Sequence, residues 1–160
     1  MKPQDLIVLL LHKFWGHKMI QIKNFIKNTI LEPILFFKYR ILGVRLGNNV
    51  KISRGAIIDT THPKGIIIGD HVLIARGAVI LSHDFVNQRK LTTKIGCNVF
   101  IGCNSIILPG VIIPDNCIIA AGAIVTKNFT GNSIIAGNPA RLIRSEVKIG
   151  KYGLVEQIQK

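Results

Sequence analysis

His83 and Asp84 stand side by side in Leu81-Ser82-His83-Asp84-Phe85, and His62 lies in the stretch Asp59-Thr60-Thr61-His62-Pro63-Lys64. An imidazole titrates near neutral pH, so either histidine could take a proton from a hydroxyl as a general base, an effect worth about 10² to 10⁴ in rate. Such chemistry needs no Ser or Cys nucleophile. Taken alone, a histidine on a turn more often has a structural or solvent role, and His71 occupies the same kind of position as His83. Cys97, Cys103 and Cys117 form no CxxC pair, which reads as reduced thiols in a cytoplasmic compartment, with neither a disulfide framework nor a metal site.

The elements that must position these groups follow from a repeat. Four blocks of eighteen residues superimpose: LGNNVKISRGAIIDTTHP (Leu46 to Pro63), IGDHVLIARGAVILSHDF (Ile68 to Phe85), IGCNVFIGCNSIILPGVI (Ile95 to Ile112) and IPDNCIIAAGAIVTKNFT (Ile113 to Thr130). Each divides into three hexads headed by an aliphatic residue, and the fifth position is mostly small or β-branched, as in Val72, Ala78, Val99 and Ala123. Alternation of this kind reads as short strands. The fourth position holds Asn49, Gly55, Gly77, Asn98, Asn104, Gly110, Asn116, Gly122 and Asn128, with Thr61, His71 and His83 as exceptions. Gly and Asn tolerate positive φ, where other residues lose about 1 to 2 kcal/mol, so every sixth residue is expected to be a left-handed turn. Three strands and three turns per eighteen residues describe a triangular coil that stacks as a parallel β-helix.

Two insertions interrupt the repeat, Lys64 to Ile67 and Val86 to Lys94. Insertions in a stacked coil leave from it as loops, often on the binding face. His83 and Asp84 immediately precede the longer one. Asp84 falls where the hexad calls for a small inward residue, and an unpaired carboxylate there is costly, so the chain is expected to have left the coil by that point. Cys103 and Ala121 fall one circuit apart at the third hexad position, a column of small side chains that suits a linear ligand.

These blocks, with the consecutive signatures IGCNVFIGCNSIILPGVIIPDNCIIAAGAIVTKN and IIAGNPARLIR, resemble the left-handed β-helix hexapeptide-repeat acyltransferase superfamily over about residues 43–144. The resemblance is strongest to its sugar O-acetyltransferase branch, which includes galactoside and maltose acetyltransferases. It implies an all-β, left-handed parallel β-helix with a short helical N-terminal segment, assembled as a homotrimer with the donor groove shared between subunits. It implies acetyl-CoA as acyl donor, without a metal, and His83 as the catalytic base acting on a sugar hydroxyl. On the same resemblance Cys103, Ala121, Thr126 and Lys127 match positions that contact the coenzyme, and Lys127, Arg141 and Arg144 would meet its phosphates. An acid near Asp59 holds acceptor hydroxyls in the family, and Asp84 is assigned to the acceptor or to orienting His83. The runner-up activity is N-acetylation of a nucleotide-linked amino sugar. Serine acetyltransferases carry a larger helical N-terminal domain. The γ-carbonic anhydrases need further histidine ligands, and no histidine follows His83. A nonenzymatic β-helix is the remaining class.

The chain of 160 residues carries a net charge of +13, with eight Lys or Arg before Leu46 and thirteen after it. That excess favours anionic partners such as phosphates or a lipid surface. Nucleic acid is excluded as a leading partner because no zinc-finger, helix-turn-helix or base-stacking motif accompanies the charge. Residues 3–42 lack the hexad and read as helix, with Met19, Ile22, Phe25, Ile26 and Ile30 on one face and Lys18, Lys23 and Lys27 mostly elsewhere. The segment either caps the first coil or also rests, through Phe14, Trp15, Phe36 and Phe37, on the inner face of an anionic membrane. Neither Leu6 to Leu11 nor Ile34 to Phe37 is long enough to span a bilayer or to form a signal peptide. The expected organisation is a basic helical segment at 1–45, the catalytic coil at 46–144 with a loop at 86–94, and a tail at 145–160, in a cytoplasmic protein.

Overall fold

The computed structural model describes residues 19–21 and 32–155. The chain divides into compact units at Met1–Ile34 and Leu35–Lys160. Phe14, Trp15 and most of the amphipathic stretch around Met19 lie outside the described residues. No described helix is long and apolar enough to cross a membrane.

From Arg45 onward the chain visits three parallel sheets in strict rotation. Sheet A stacks Arg45–Leu46, Ile66–Ile68, Thr93–Ile95 and Ile112–Ile113. Sheet B begins Lys51–Ile52, Leu73–Ile74, Phe100–Ile101 and Cys117–Ile119, and sheet C stacks Ile57–Ile58, Val79–Ile80, Ile106–Ile107 and Ile124–Val125. In sheet C, Ile57 pairs with Val79, Val79 with Ile106, and Ile106 with Ile124, so partners are 22, 27 and 18 residues apart. The repeat of eighteen is thus the height of one circuit, and the two larger offsets are eighteen plus the four-residue and nine-residue insertions.

The aliphatic heads of the hexads form the core. Ile74, Ile80, Ile101, Ile107, Ile119 and Val125 are 0% exposed, and the fifth-position residues Val72, Ala78, Val99, Ser105, Cys117 and Ala123 share that burial. Burying each isoleucine stabilises the fold by about 1.5 to 3 kcal/mol. Desolvation pushes the Cys117 thiol up to about 11, which keeps it protonated.

The turns carry their own order. Asn49, His71, Asn98 and Asn116 have φ of 54° to 57° and line up between sheets A and B. Their side chains form ladders, Asn98 donating to Asn116 and Asn116 to Asn132, with Asn49 meeting His71. A second ladder runs beside it: Asp70 accepts the Asn48 amide, Cys97 Sγ the Asp70 amide, and Asp115 the Cys97 amide. Gly47, Gly69 and Gly96 precede these turns because a Cβ there would collide with Asp70, Cys97 and Asp115 respectively. Cys97 therefore acts as a turn acceptor.

Both ends of the coil are closed. The helix Glu32–Ile41 starts at Pro33, where a missing amide costs nothing, and its Leu35, Phe36 and Tyr39 pack on the core, with Tyr39 donating to the Ala56 carbonyl. Phe37 and Ile41 stay exposed at 60% and 83%, beside Lys38 and Arg40. At the other end Ser133–Gly137 and Ala140–Arg144 form an antiparallel hairpin on sheet B, and the last circuit shortens to 16 residues between Cys117 and Ser133. The tail then runs back along sheet B: Tyr152 donates its amide to His71, its ring sits under Lys51, and Gly153 lies against Phe100.

Ile101→Ala is expected to cost about 2 to 5 kcal/mol by chemical denaturation, because the side chain is fully buried in the core. At Asn104, with φ 55°, Ala is expected to cost about 1 kcal/mol and Gly distinctly less, read from the same denaturation midpoints.

Candidate active site

The turn from sheet C to sheet A is the irregular edge of the fold. Gly110 keeps positive φ there, whereas Thr61, His83 and Asn128 do not, contrary to the expectation from their hexad position. Extra residues enter within the turns of Thr61 and His83, whereas Asn128 lies in the shortened last circuit. Ile66 and Thr93 pair with one another in sheet A and take the inward places that the repeat had given to His62 and Asp84. The first excursion is therefore centred on the 3₁₀ turn Pro63–Gly65 rather than on Lys64 to Ile67. The second begins at His83, three residues before the expected loop boundary.

That second excursion is a hairpin, His83–Asp84 paired antiparallel with Arg89–Lys90. Asp84 accepts the Asn87 amide and side chain and meets Arg89 at 3.3 Å, and the Asn87 bonds, helped by Arg89, hold its carboxyl below the usual range. Asp84 has thus left the coil interior and shapes the hairpin tip. Its bonded partners belong to the tip and not to the His83 ring. Phe85 and Val86 project at 76% and 88% exposure, with the Phe85 ring 6.1 Å from that of His83.

The root of the hairpin is clamped by Asp59. One carboxylate oxygen accepts the Ser82 amide at 3.1 Å and the His83 amide at 3.0 Å, and the other accepts the Thr61 amide at 2.8 Å. Burial opposes ionisation of Asp59, but bonds from Ser82, Thr61 and His83 together outweigh it and lower its pKa. Ser82, fully buried, donates its hydroxyl to the His62 carbonyl at 2.7 Å, and its own carbonyl receives the Leu91 amide at 2.8 Å. Thr93 closes the return by donating to the Leu81 carbonyl and accepting the Gly110 amide. The His83 backbone is consequently fixed at the root of the hairpin, and its ring is half-buried. The His62 ring lies over Gly65, where no Cβ could fit.

The remaining candidates fall into two groups. Cys103 and Ala121 stack at the turn from sheet B to sheet C, joined by the Gly122 amide to the Cys103 carbonyl at 2.8 Å, and both are exposed. Gly102 lets these turns approach, since a Cβ there would strike the Ala121 amide. Arg141, opposite Ala136 in the terminal hairpin, sits at the end of this column, whereas Arg144, opposite Ile134, sits across the sheet from it. Thr126 and Lys127 lie on the opposite, His83 edge of sheet C, with Lys127 over Phe129. One protomer therefore separates Cys103 and Ala121 from His83 by the width of sheet C. The roles of Ser82 and Thr93 carry no signal in the repeat, since both lie in or beside the insertions where its register breaks.

Comparison with known proteins shows the family to which the chain belongs. The family described as bacterial transferase hexapeptide (six repeats) matches residues 92–127. YvoF of Bacillus subtilis (strain 168), whose name carries a provisional acetyltransferase assignment, is 32% identical over 130 residues, 76% of this chain and 76% of that protein. The galactoside O-acetyltransferase of Escherichia coli (strain K12) is 34% identical over 131 residues, 74% of this chain, which spans 61% of that enzyme's length. A solved galactoside acetyltransferase in complex with coenzyme A superimposes with a TM-score of 0.51 at 32% identity, over 66% of this chain and 56% of that one. The chain belongs to the hexapeptide-repeat family of bacterial transferases. It is an acyltransferase.

Because the folded Asp59 carboxyl titrates lower than the unfolded one, its contribution is present above the unfolded value and lost as pH falls through the folded value. Hydrogen exchange at the Ser82 and His83 amides, taken relative to the intrinsic rate at each pH, is expected to accelerate only as pH falls below the ordinary aspartate range, through the lowered folded value. Asp59→Ala should show the same acceleration at neutral pH, and equal protection in that variant would remove the clamp.

Proposed function

We propose that this protein is an acetyl-CoA-dependent O-acetyltransferase acting on a hydroxyl of a sugar or polysaccharide precursor, built as a left-handed parallel β-helix and active as a homotrimer. The observation that carries the reading is the placement of His83: its backbone is clamped by Asp59 at the root of a projecting hairpin, on the edge of sheet C opposite the Cys103 and Ala121 column. A donor lying along that column in one copy can reach a His83 only from a second copy, which favours a site shared between subunits. The coenzyme A complex of a relative supports the same donor here.

In the proposed reaction the neutral His83 imidazole removes the acceptor hydroxyl proton while that oxygen attacks the thioester carbonyl. The tetrahedral intermediate collapses with cleavage of the C–S bond, and the imidazolium returns the proton to the departing sulfur. Ala121 and Cys103 present backbone and small side chains to the pantetheine arm. Arg141 meets the phosphates at the end of the column, and Lys127, Thr126 and Arg144 contribute from a neighbouring copy. Asp59 is a positioning residue and Asp84 shapes the hairpin that flanks the acceptor. Use of acetyl-CoA fits a cytoplasmic site of action.

His83→Ala is expected to lower kcat about 10²- to 10⁴-fold in a coenzyme A release assay with oligomeric state unchanged, and undiminished turnover would reject the assignment. Thiol labelling gives an independent check: exposed Cys103 should react readily and be protected by acetyl-CoA, while Cys117, fully buried and with its thiol pushed up to about 11, should stay unlabelled in the folded protein.

A further inference from the structure

The column of small residues does not end at Cys103. In the sheet register Arg76 occupies the same place one circuit below Cys103, and Arg54 the same place one circuit below Arg76. Backbone bonds fix the stacking: the Asn104 amide donates to the Arg76 carbonyl at 3.1 Å, and the Gly77 amide to the Gly55 carbonyl at 3.1 Å. Both arginine side chains are exposed, and the stem of Arg76 lies across Gly55 at the turn that follows Arg54. Among the described residues neither guanidinium pairs with a carboxylate, and the turns between sheets B and C contain no acid at all. Asp70 and Asp115 stand at the edge between sheets A and B, and Asp59 and Asp84 at the edge between C and A.

Like charges on neighbouring strands repel, and here no protein carboxylate offsets them. Two stacked guanidiniums present a fork of donors that matches a phosphate or a carboxylate. Their position along the column says which anion. On the proposed donor placement, Arg141 marks the phosphate end of the coenzyme and Ala121 and Cys103 its arm, so the thioester points toward Arg76. The acceptor must approach that carbonyl from beyond it, past Arg54 and Arg76. We infer that Arg54 and Arg76 form an acceptor subsite, and that the acceptor is an anionic sugar, bearing a phosphate ester, a diphosphate or a uronic carboxylate near the hydroxyl that is acetylated. This inference rests on the acetyl-transfer reading and on its direction for the donor.

The test uses the full-length protein, acetyl-CoA, and paired acceptors: gluco, galacto and manno hexoses, each against its 1-phosphate and its uronic acid, with coenzyme A release as the readout. Expected is a kcat/KM at least about tenfold higher for an anionic member than for its neutral counterpart, as one charge-assisted contact supplies. Phosphate over uronate, or the reverse, identifies the anion. In Arg54→Gln/Arg76→Gln that ratio should fall toward one through a rise in acceptor KM, with the acetyl-CoA KM unmoved. Raising ionic strength on the wild-type protein should weaken the anionic acceptors selectively, a measurement independent of any variant. Equal turnover of neutral and anionic sugars, or a loss that falls on the acetyl-CoA KM, would overturn the inference while leaving acetyl transfer intact. Absence of coenzyme A release with every acceptor would overturn both.

Discussion

The short strands of the three stacked sheets take their backbone hydrogen bonds from the strand one circuit away, and that single constraint governs the rest. A strand of two or three residues cannot stand alone, so it persists only where the next circuit returns in register. The core isoleucines reinforce the same spacing, since an offset of one residue would turn Ile80 or Ile101 outward and bring its neighbour into a space too narrow for it. Turn residues with positive φ, acceptor ladders and close-approach glycines are all consequences of stacking one circuit directly on another.

Because register must be recovered after any insertion, extra residues are admitted only where both ends can be tied down. The turn from sheet C to sheet A is that place. Asp59 gathers the amides of Thr61, Ser82 and His83, while Ser82 and Thr93 bind the returning chain. The same bonds that restore register also hold His83 at the base of a projecting hairpin. The half-buried Asp59 carboxylate ties three amides from two segments together, so the catalytic candidate sits on a cross-linked junction of the fold. On the far edge of sheet C the turns stay regular, which is why a straight column of Arg54, Arg76, Cys103 and Ala121 exists there.

Most of the fold was legible in the residues. The hexad heads, the small fifth positions and the Asn or Gly turns marked the strands and the circuit height, and the two insertions were counted correctly from the break in the pattern. The errors cluster at the insertions. Alignment by hexad placed Thr61 and His83 at left-handed turns, because a linear pattern continues until its next visible break, whereas at the inward places that the pattern leaves to His62 and Asp84 the misfit of the Asp84 carboxylate correctly signalled that the chain had left the coil. In three dimensions Ile66 and Thr93 claim those inward places, since they alone can both fill the core and pair in sheet A. The return of Tyr152 to His71 carries no periodic signal and was not foreseen.

What the sequence determined by itself is therefore the periodic part: one inward aliphatic residue in six, a turn between successive strands, and a circuit of eighteen, all set by local conformational preference and side-chain size. The tertiary structure alone decided which groups meet. It gave Asp59 to the amides of the hairpin root, Asp84 to the hairpin tip, and Arg76 and Arg54 to the track below Cys103, and it put that track and His83 on opposite edges of one sheet. Apart from the local bonds of Asp84, these pairings join residues 22 to 27 positions apart, and their distances depend on how many residues each excursion absorbs before the ladder resumes. Hydrogen bonding across circuits settles that number, and no property of a local stretch of residues contains it.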